Sequence, residues 1–394
     1  ETELIQIVFL YKFQILIHII LGGHMKKNLK RREFLKKAGV AGAAAVGAST
    51  LAAPAIAGGH QEWIICSAFG KAGPLGQAIQ GFGDNINRYS EKLKVKVYHA
   101  GELVPGLEAL DAVRSGAAQA AYGAPYYWPN LSDAIEFVAT CPFGMNAMEQ
   151  NAWCYYGGGI EAADKIYNAL GVKFLPMGNT GNQMGGWFNK EINTPDDYKG
   201  LKMRMPGLGG RTIEKLGATP VLLAGPDVLP ALTSGAVDAA EWICPAADLG
   251  AGLYQAAKYY YGPGWHEPST LLDLSMDLKA WEALDSDTQG LIDDLAKSFN
   301  MTVFSRFQAI NGPALQKLVN EHNVEIKTFP DEVLIALGNA AGEVVFERGS
   351  INSETKAITN HLLSFRKVIK EWFTKGEQNF SRIRDLPFKF PDSV

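Results

Sequence analysis

The segment Leu110–Tyr122 returns, 119 positions later, as Leu229–Glu241. Each copy reads as a helix closed by a glycine suited to the left-handed position (Gly116, Gly235), followed by a short strand of small residues. A single repeat is too sparse for a solenoid, so the duplication points to two related lobes facing a cleft. The flanking pattern sets their class. Glu62–Ser67 reads as a strand, Pro74–Lys92 as a helix and Leu93–His99 as a second strand with Val95 and Val97 alternating. This βαβ alternation is α/β rather than all-β. In this register Tyr122 and Glu241 occupy equivalent strand ends, where α/β sheets carry their ligand contacts. Beyond Asp285 the pattern turns helical, over 285–307, 312–322, 331–347 and 352–375. The last of these carries Ile358, Leu362, Phe365, Ile369 and Phe373 at helical spacing, a stripe for core packing or for a partner.

The chain's beginning reads as an address. Lys26–Lys37 is basic and contains the pair Arg31-Arg32; an Ala/Gly-rich apolar run follows to Leu51, and Ala53–Ala57 offers the small residues a signal peptidase reads. That order is a secretory signal of the twin-arginine kind, over residues 25–57, with cleavage expected after Ala57 and a periplasmic destination. Residues 1–24 are apolar, but Lys12 and Gln14 interrupt them. The complete signal starting at Met25 makes them an expected upstream read-through. Residues 1–57 hold 8 of the 37 Lys+Arg and 3 of the 41 Asp+Glu, leaving 29 against 38, a net charge of −9. Such an acidic chain is a poor partner for nucleic acid. Cys66, Cys141, Cys154 and Cys244 fit no zinc or iron–sulfur spacing. Export permits a disulfide between Cys141 and Cys154, and buried thiols fit equally well.

Catalytic signatures are missing: there is no nucleophile elbow, zinc-protease helix, phosphate loop or dinucleotide fingerprint. Gly207–Gly210 suits an anion or, more simply, a strand-to-helix turn. What stands out is an anion trap between Gly178 and Glu267. Arg204 ends an alternating strand that Pro206 stops; its guanidinium can grip a ligand carboxylate through two parallel hydrogen bonds or, equally well, close a structural salt bridge. Glu241 and Glu267 would repel that ligand unless one is protonated or a cation joins them. Glutamate, the Gln183 amide and backbone carbonyls suit a hard cation. Two glutamates, a monocarboxylate, Arg204 and a monovalent ion sum to −1; a divalent ion brings the sum to zero. The aromatics Tyr126, Tyr127, Trp187, Trp242 and Trp265 fall in or near these strings; such residues are more often core, but those next to Gly and Pro in loops line pockets more often than average.

These strings, with Ala100–Leu107, Gly178–Phe188, Gly200–Arg204, Ala240–Trp242 and Tyr259–Glu267 as the densest, resemble the periplasmic substrate-binding subunits of tripartite ATP-independent (TRAP) transporters. The likeness is to the branch that takes 2-oxo acids such as pyruvate and 2-hydroxy acids such as lactate. It implies two α/β lobes closing over a small carboxylate, with Arg204 on the carboxylate and Tyr126 and Tyr127 lining the pocket. Gln183, Glu241, the Trp242 carbonyl and Glu267 would hold a sodium or calcium ion that contacts the ligand. It further implies delivery to TRAP membrane subunits and a homodimer through long C-terminal helices. Lobe I is expected over 58–180 plus 268–305, and lobe II over 181–267 plus 306–394. The chain departs from the family at His266, where relatives can carry another aromatic, and at Ala124-Pro125; both fall near the ligand tail.

Two other readings come from other classes. An exported metal-dependent enzyme acting on a keto acid would turn its ligand over. A purely structural module would keep its C-terminal assembly without any ligand.

Overall fold

The computed structural model describes residues 56–57 and 59–389. The upstream segment 1–24 and the signal peptide, apart from Ile56-Ala57, lie outside the described residues. Those two residues form β1, paired antiparallel with His60-Gln61.

Two six-stranded sheets carry the fold. The first contains β2 (His60–Ser67), β3 (Leu93–Tyr98), β4 (Ala120–Gly123), β5 (Val172–Asn179) and β11 (Leu271–Asp277), with β1 at its margin. The second contains β6 (Gly186–Phe188), β7 (Lys202–Arg204), β8 (Thr219–Val221), β9 (Ala239–Ala240), β10 (Tyr259–Gly262) and β12 (Glu325–Thr328). Strand senses match between them. In the first, β3, β2 and β4 run parallel, then β11 and β5 pair antiparallel in turn. In the second, β8, β7 and β9 run parallel, then β6 and β10 pair antiparallel. The repeat lands on equivalent places, because β4 and β9 are each the third strand of that order. The glycine before each strand is left-handed, with φ of 78° at Gly116 and 74° at Gly235.

Side-chain alternation builds the cores. In the second sheet Phe188, Tyr261, Met203 and Ala239 face one apolar cluster, while Trp187, Tyr260 and Ala240 face another. Trp187 lies directly opposite Tyr260 in register, and their rings stack at 4.0 Å. The first sheet is covered by Pro74–Tyr89, whose Leu75, Ala78, Ile79, Phe82 and Ile86 are buried at helical spacing.

One expectation is corrected and one alternative is decided. The helices expected over 285–307 and 312–322 are one helix, Ser286–His322, which continues through Pro313. A proline forfeits one backbone bond, but this helix packs along β5 and two other helices, and that packing carries it past the break. Of the two uses expected for the stripe of the last long helix, Ser353–Phe373, the structure shows core packing. Ile358 and Leu362 are buried in the first sheet's core and Phe365 and Ile369 pack against it, which leaves Val368 and Trp372 to solvent. All four cysteines are buried free thiols. Among the described residues no helix is long and apolar enough to cross a membrane.

Candidate functional site

The chain passes from β5 to β6 through residues 180–185 and from β10 to β11 through 263–270. The two crossings are bonded to each other: the Gln183 N–H donates to the Glu267 carbonyl (3.1 Å), and the Gly264 N–H donates to the Gln183 carbonyl (2.7 Å). Gln183 and Glu267 therefore meet although 84 positions separate them (267 less 183). Further ties fix the second crossing. Ser269 donates to the Met145 carbonyl (2.9 Å) and to Gln150 Oε1 (2.7 Å), and Asn179 donates to that same oxygen (2.9 Å).

Arg204 ends β7 and Glu241 follows β9, its parallel neighbour, so the two side chains rise side by side. Both are 1% exposed. Arg204 Nη1 donates to the Glu241 carboxylate and to the Glu241 carbonyl (2.9 Å), while Nε and Nη2 donate to the Leu223 carbonyl (3.2 Å each). Its guanidinium lies 5.2 Å from the Trp242 ring. Burial works against the arginine's charge, yet Glu241 and its neighbours hold its pKa above the ordinary value.

The partner groups close around this pair. Tyr126 donates to Glu267 Oε2 (3.1 Å), and the Thr270 hydroxyl donates to the same carboxylate. Tyr127 packs edge-on to Tyr126 at 5.1 Å. Gly207 makes room for Tyr126: its φ is +55°, and a Cβ there would stand 3.1 Å from the tyrosine's own Cβ. Gln183 donates through Nε2 to Thr180 (3.2 Å) and Thr270 (3.1 Å), while its buried Oε1 has no protein partner. His266 places Nε2 3.2 Å from Glu241 Oε2 and 3.9 Å from Glu267 Oε1. Ligand atoms of Glu241, His266 and Glu267 all lie within 4.8 Å of one another.

Burial sets the charge states. It pushes Glu241 up to about 7 against the pull of Arg204, and it pushes Glu267 up to about 7 with help from the Glu241 charge. It drives His266 down to about 4, so the imidazole is neutral. Two buried carboxylates beside one guanidinium hold their charge best with a further positive partner. An unpartnered amide oxygen beside them completes an oxygen-rich donor set that fits a hard cation.

The seven residues expected to hold the ligand or the ion (Tyr126, Tyr127, Gln183, Arg204, Glu241, Trp242 and Glu267) converge here, whereas Trp187 and Trp265 are buried in the second sheet's apolar clusters. Tyr122 does not: it stays inside β4, buried against Phe69. Several participants were missed. The Leu223 carbonyl carries no side-chain signal, and Thr180 and Thr270 are common residue types. Asp248 is the largest omission. It accepts from Trp187 (2.8 Å), Tyr260 (2.7 Å) and the N–H groups of Ile243 (3.0 Å) and Cys244 (3.1 Å), which pins the segment that carries Glu241 and Trp242. Burial raises it to about 6.

Two matched α/β halves and a buried arginine–carboxylate centre at their crossings define a two-lobed binding protein. The profile of bacterial extracellular solute-binding proteins, family 7 (DctP), matches residues 67–348, and the chain belongs to that family. It is 37% identical over 360 residues to the monocarboxylate 2-oxoacid-binding periplasmic protein of Nostoc sp., covering 89% of this chain and 98% of that one. It is similar to a TRAP periplasmic solute-binding protein of Pseudoalteromonas atlantica with bound sodium and pyruvate: TM-score 0.80, 34% identity, 84% of this chain and 100% of that one. A TRAP solute-binding protein of Bordetella bronchiseptica, a mixed-occupancy dimer with calcium and picolinate, gives TM-score 0.80 and 31% identity over 82% of this chain and 97% of that one. The family consists of solute-binding receptors, so the enzyme reading is set aside.

Proposed function

We propose that this chain is the periplasmic receptor of a TRAP transporter, that it captures a small 2-oxo or 2-hydroxy monocarboxylate with a sodium or calcium ion, and that it hands the ligand to the membrane subunits. One observation carries the reading. Arg204, Glu241, Glu267 and the unpartnered Gln183 oxygen lie together, fully buried, where the two crossings meet.

In this reading the Gln183, Glu241 and Glu267 side chains and the Trp242 carbonyl hold the ion, which supplies positive charge beside the ligand's carboxylate and 2-oxo oxygens. The chain's own groups do the rest. Arg204 offers donors to the carboxylate; its position is fixed by the Leu223 and Glu241 carbonyls, so little side-chain freedom is lost on binding. Tyr126 and Tyr127 line the ligand, and Tyr126 keeps Glu267 oriented through its hydroxyl. His266 neighbours both glutamates without adding charge. The pyruvate- and picolinate-bound relatives, each with a cation, support this assignment.

Export by the twin-arginine route is part of the proposal, resting on Arg31-Arg32 and the small residues before Ala57. So is a homodimer through the C-terminal helices. The surface that suits it is Val368 and Trp372 with Phe380, all more than half exposed.

Isothermal titration of the chain from Gly58 tests the core claim, with pyruvate, lactate, 2-oxobutyrate and succinate, each with sodium, with calcium and after chelation. One-to-one binding of a 2-oxo or 2-hydroxy monocarboxylate that is lost on chelation is the expected result. Cation-independent binding, or binding of succinate alone, overturns the assignment of Gln183, Glu241 and Glu267.

A further inference from the structure

Beside the buried centre lies a cleft of about 630 Å³, lined by Phe69, Leu75, Pro226, Leu229, Trp242 and Ile243 among others. Arg204, Tyr126, Tyr127 and Glu241 do not line it. Two rings stand between the centre and the cleft. Phe69 follows β2 of the first sheet; its ring is 6.0 Å from Tyr127 on the inner side and 6.4 Å from Trp242. Trp242 follows β9 of the second sheet, with the Arg204 guanidinium 5.2 Å from its ring. Each ring therefore touches the inner centre while also facing the cleft. Trp242 is held in place from the cleft side: a Cβ on Gly225 would come within 2.4 Å of its ring, so only glycine lets the helix Gly225–Ser234 lie against it. Phe69 is 4% exposed and is braced edge-on by Tyr122 at 5.6 Å.

We propose that Phe69 and Trp242 form a partition that sets the maximum length of the ligand: a short tail ends against the two rings, and a long one is excluded from the apolar cleft beyond. This deepens, and rests on, the reading of the Arg204 centre as a monocarboxylate site. The cleft is large and apolar enough to take an alkyl chain, so the rings, not lack of space, impose the limit. Removing the Phe69 ring opens the centre to the cleft and converts a receptor for short 2-oxo acids into one for long ones. Burying a methylene favours binding about fourfold.

The test is titration calorimetry with calcium present, using straight-chain 2-oxo acids from pyruvate to 2-oxooctanoate, on the wild type, Phe69→Ala and Phe69→Leu. Phe69→Leu keeps an apolar filler and carries the test if the alanine variant is poorly folded. Wild-type affinity should fall as the chain lengthens. In Phe69→Ala it should rise about fourfold per methylene over the longer acids, with Phe69→Leu between them. Adding Leu229→Trp to Phe69→Ala refills the cleft and should reverse the gain. Equal wild-type affinity for pyruvate and 2-oxooctanoate overturns the partition, as does an unchanged length profile in both Phe69 variants. A wild type that retains neither a 2-oxo acid of any length nor lactate refutes the monocarboxylate reading itself, and the partition falls with it.

Discussion

Replacing Arg204 by lysine separates geometry from charge. The side chain keeps one positive charge but loses the planar fork, which contacts the Leu223 carbonyl twice at 3.2 Å and the Glu241 carbonyl at 2.9 Å as well as the Glu241 carboxylate. A single ammonium cannot span carbonyls on two sides of the residue, so at least the two Leu223 bonds are lost. Hydrogen bonds from a charged group contribute about 1.5–3 kcal/mol, and the two here share one acceptor. We therefore expect a loss of about 2–3 kcal/mol in unfolding free energy, measured by urea denaturation without ligand. For the ligand, the loss of parallel donors to the carboxylate should weaken binding at least tenfold, about 1.4 kcal/mol. Arg204→Ala should cost more on both counts, because it leaves Glu241 and Glu267 buried without a cationic side chain. The assay is calorimetric titration of pyruvate at saturating calcium, beside the urea series. Wild-type affinity in Arg204→Lys would refute the claim that the fork recognises the carboxylate.

Other outcomes follow from the same geometry. Gln183→Leu removes the unpartnered Oε1 and should lower calcium affinity at least tenfold, with raised calcium restoring carboxylate binding; an unchanged calcium dependence would remove Gln183 from the cation site. Gly207→Ala meets both a φ of +55° and the Tyr126 ring, so it should destabilise the fold by about 1–3 kcal/mol and weaken ligand binding, read by thermal melts and titration. Asp273 is buried, its pKa raised from 3.8 to about 7 by desolvation. Its contribution is thus fully present below about pH 4 and is lost as pH rises towards 7, because the unfolded chain ionises first. The stability difference between wild type and Asp273→Asn should shift against the wild type across that window, by about 4 kcal/mol at most; urea unfolding at pH 4.5 and 7.5 measures it, and a pH-independent difference would count against a buried neutral Asp273.

The parts of the site that were readable in the sequence are those where local pattern and chemistry coincide. Arg204 closes an alternating strand before a proline, and Glu241 ends the second copy of a repeat whose first copy ends at Tyr122. What the pattern did not show is set by contacts distant in the chain. Asp248 looks like an ordinary acidic residue in a short helix, and only the fold brings Trp187 and Tyr260 to it. The strand Glu325–Thr328 has little apolar signal, and its parallel pairing with β10 supplies what its composition lacks. Helical periodicity also cannot say which way a stripe faces. Ile358 and Leu362 serve the core, while the exposed Val368 and Trp372 fall outside the stripe's main line.

The crossings at 180–185 and 263–270 have a mechanical consequence. Any rotation of one sheet against the other must be absorbed at least in these segments and between Asp277 and Glu325, since these are where successive strands change sheet. Gln183 and Glu267 stand on the first two. Under the proposed assignment of Gln183 and Glu267, flexure and recognition share the same few residues, and a ligand gripped there would stiffen the joint directly, with no relay through the body of either lobe. Protection from hydrogen exchange at Gln183 and Gly264 would then report occupancy and domain motion as one quantity.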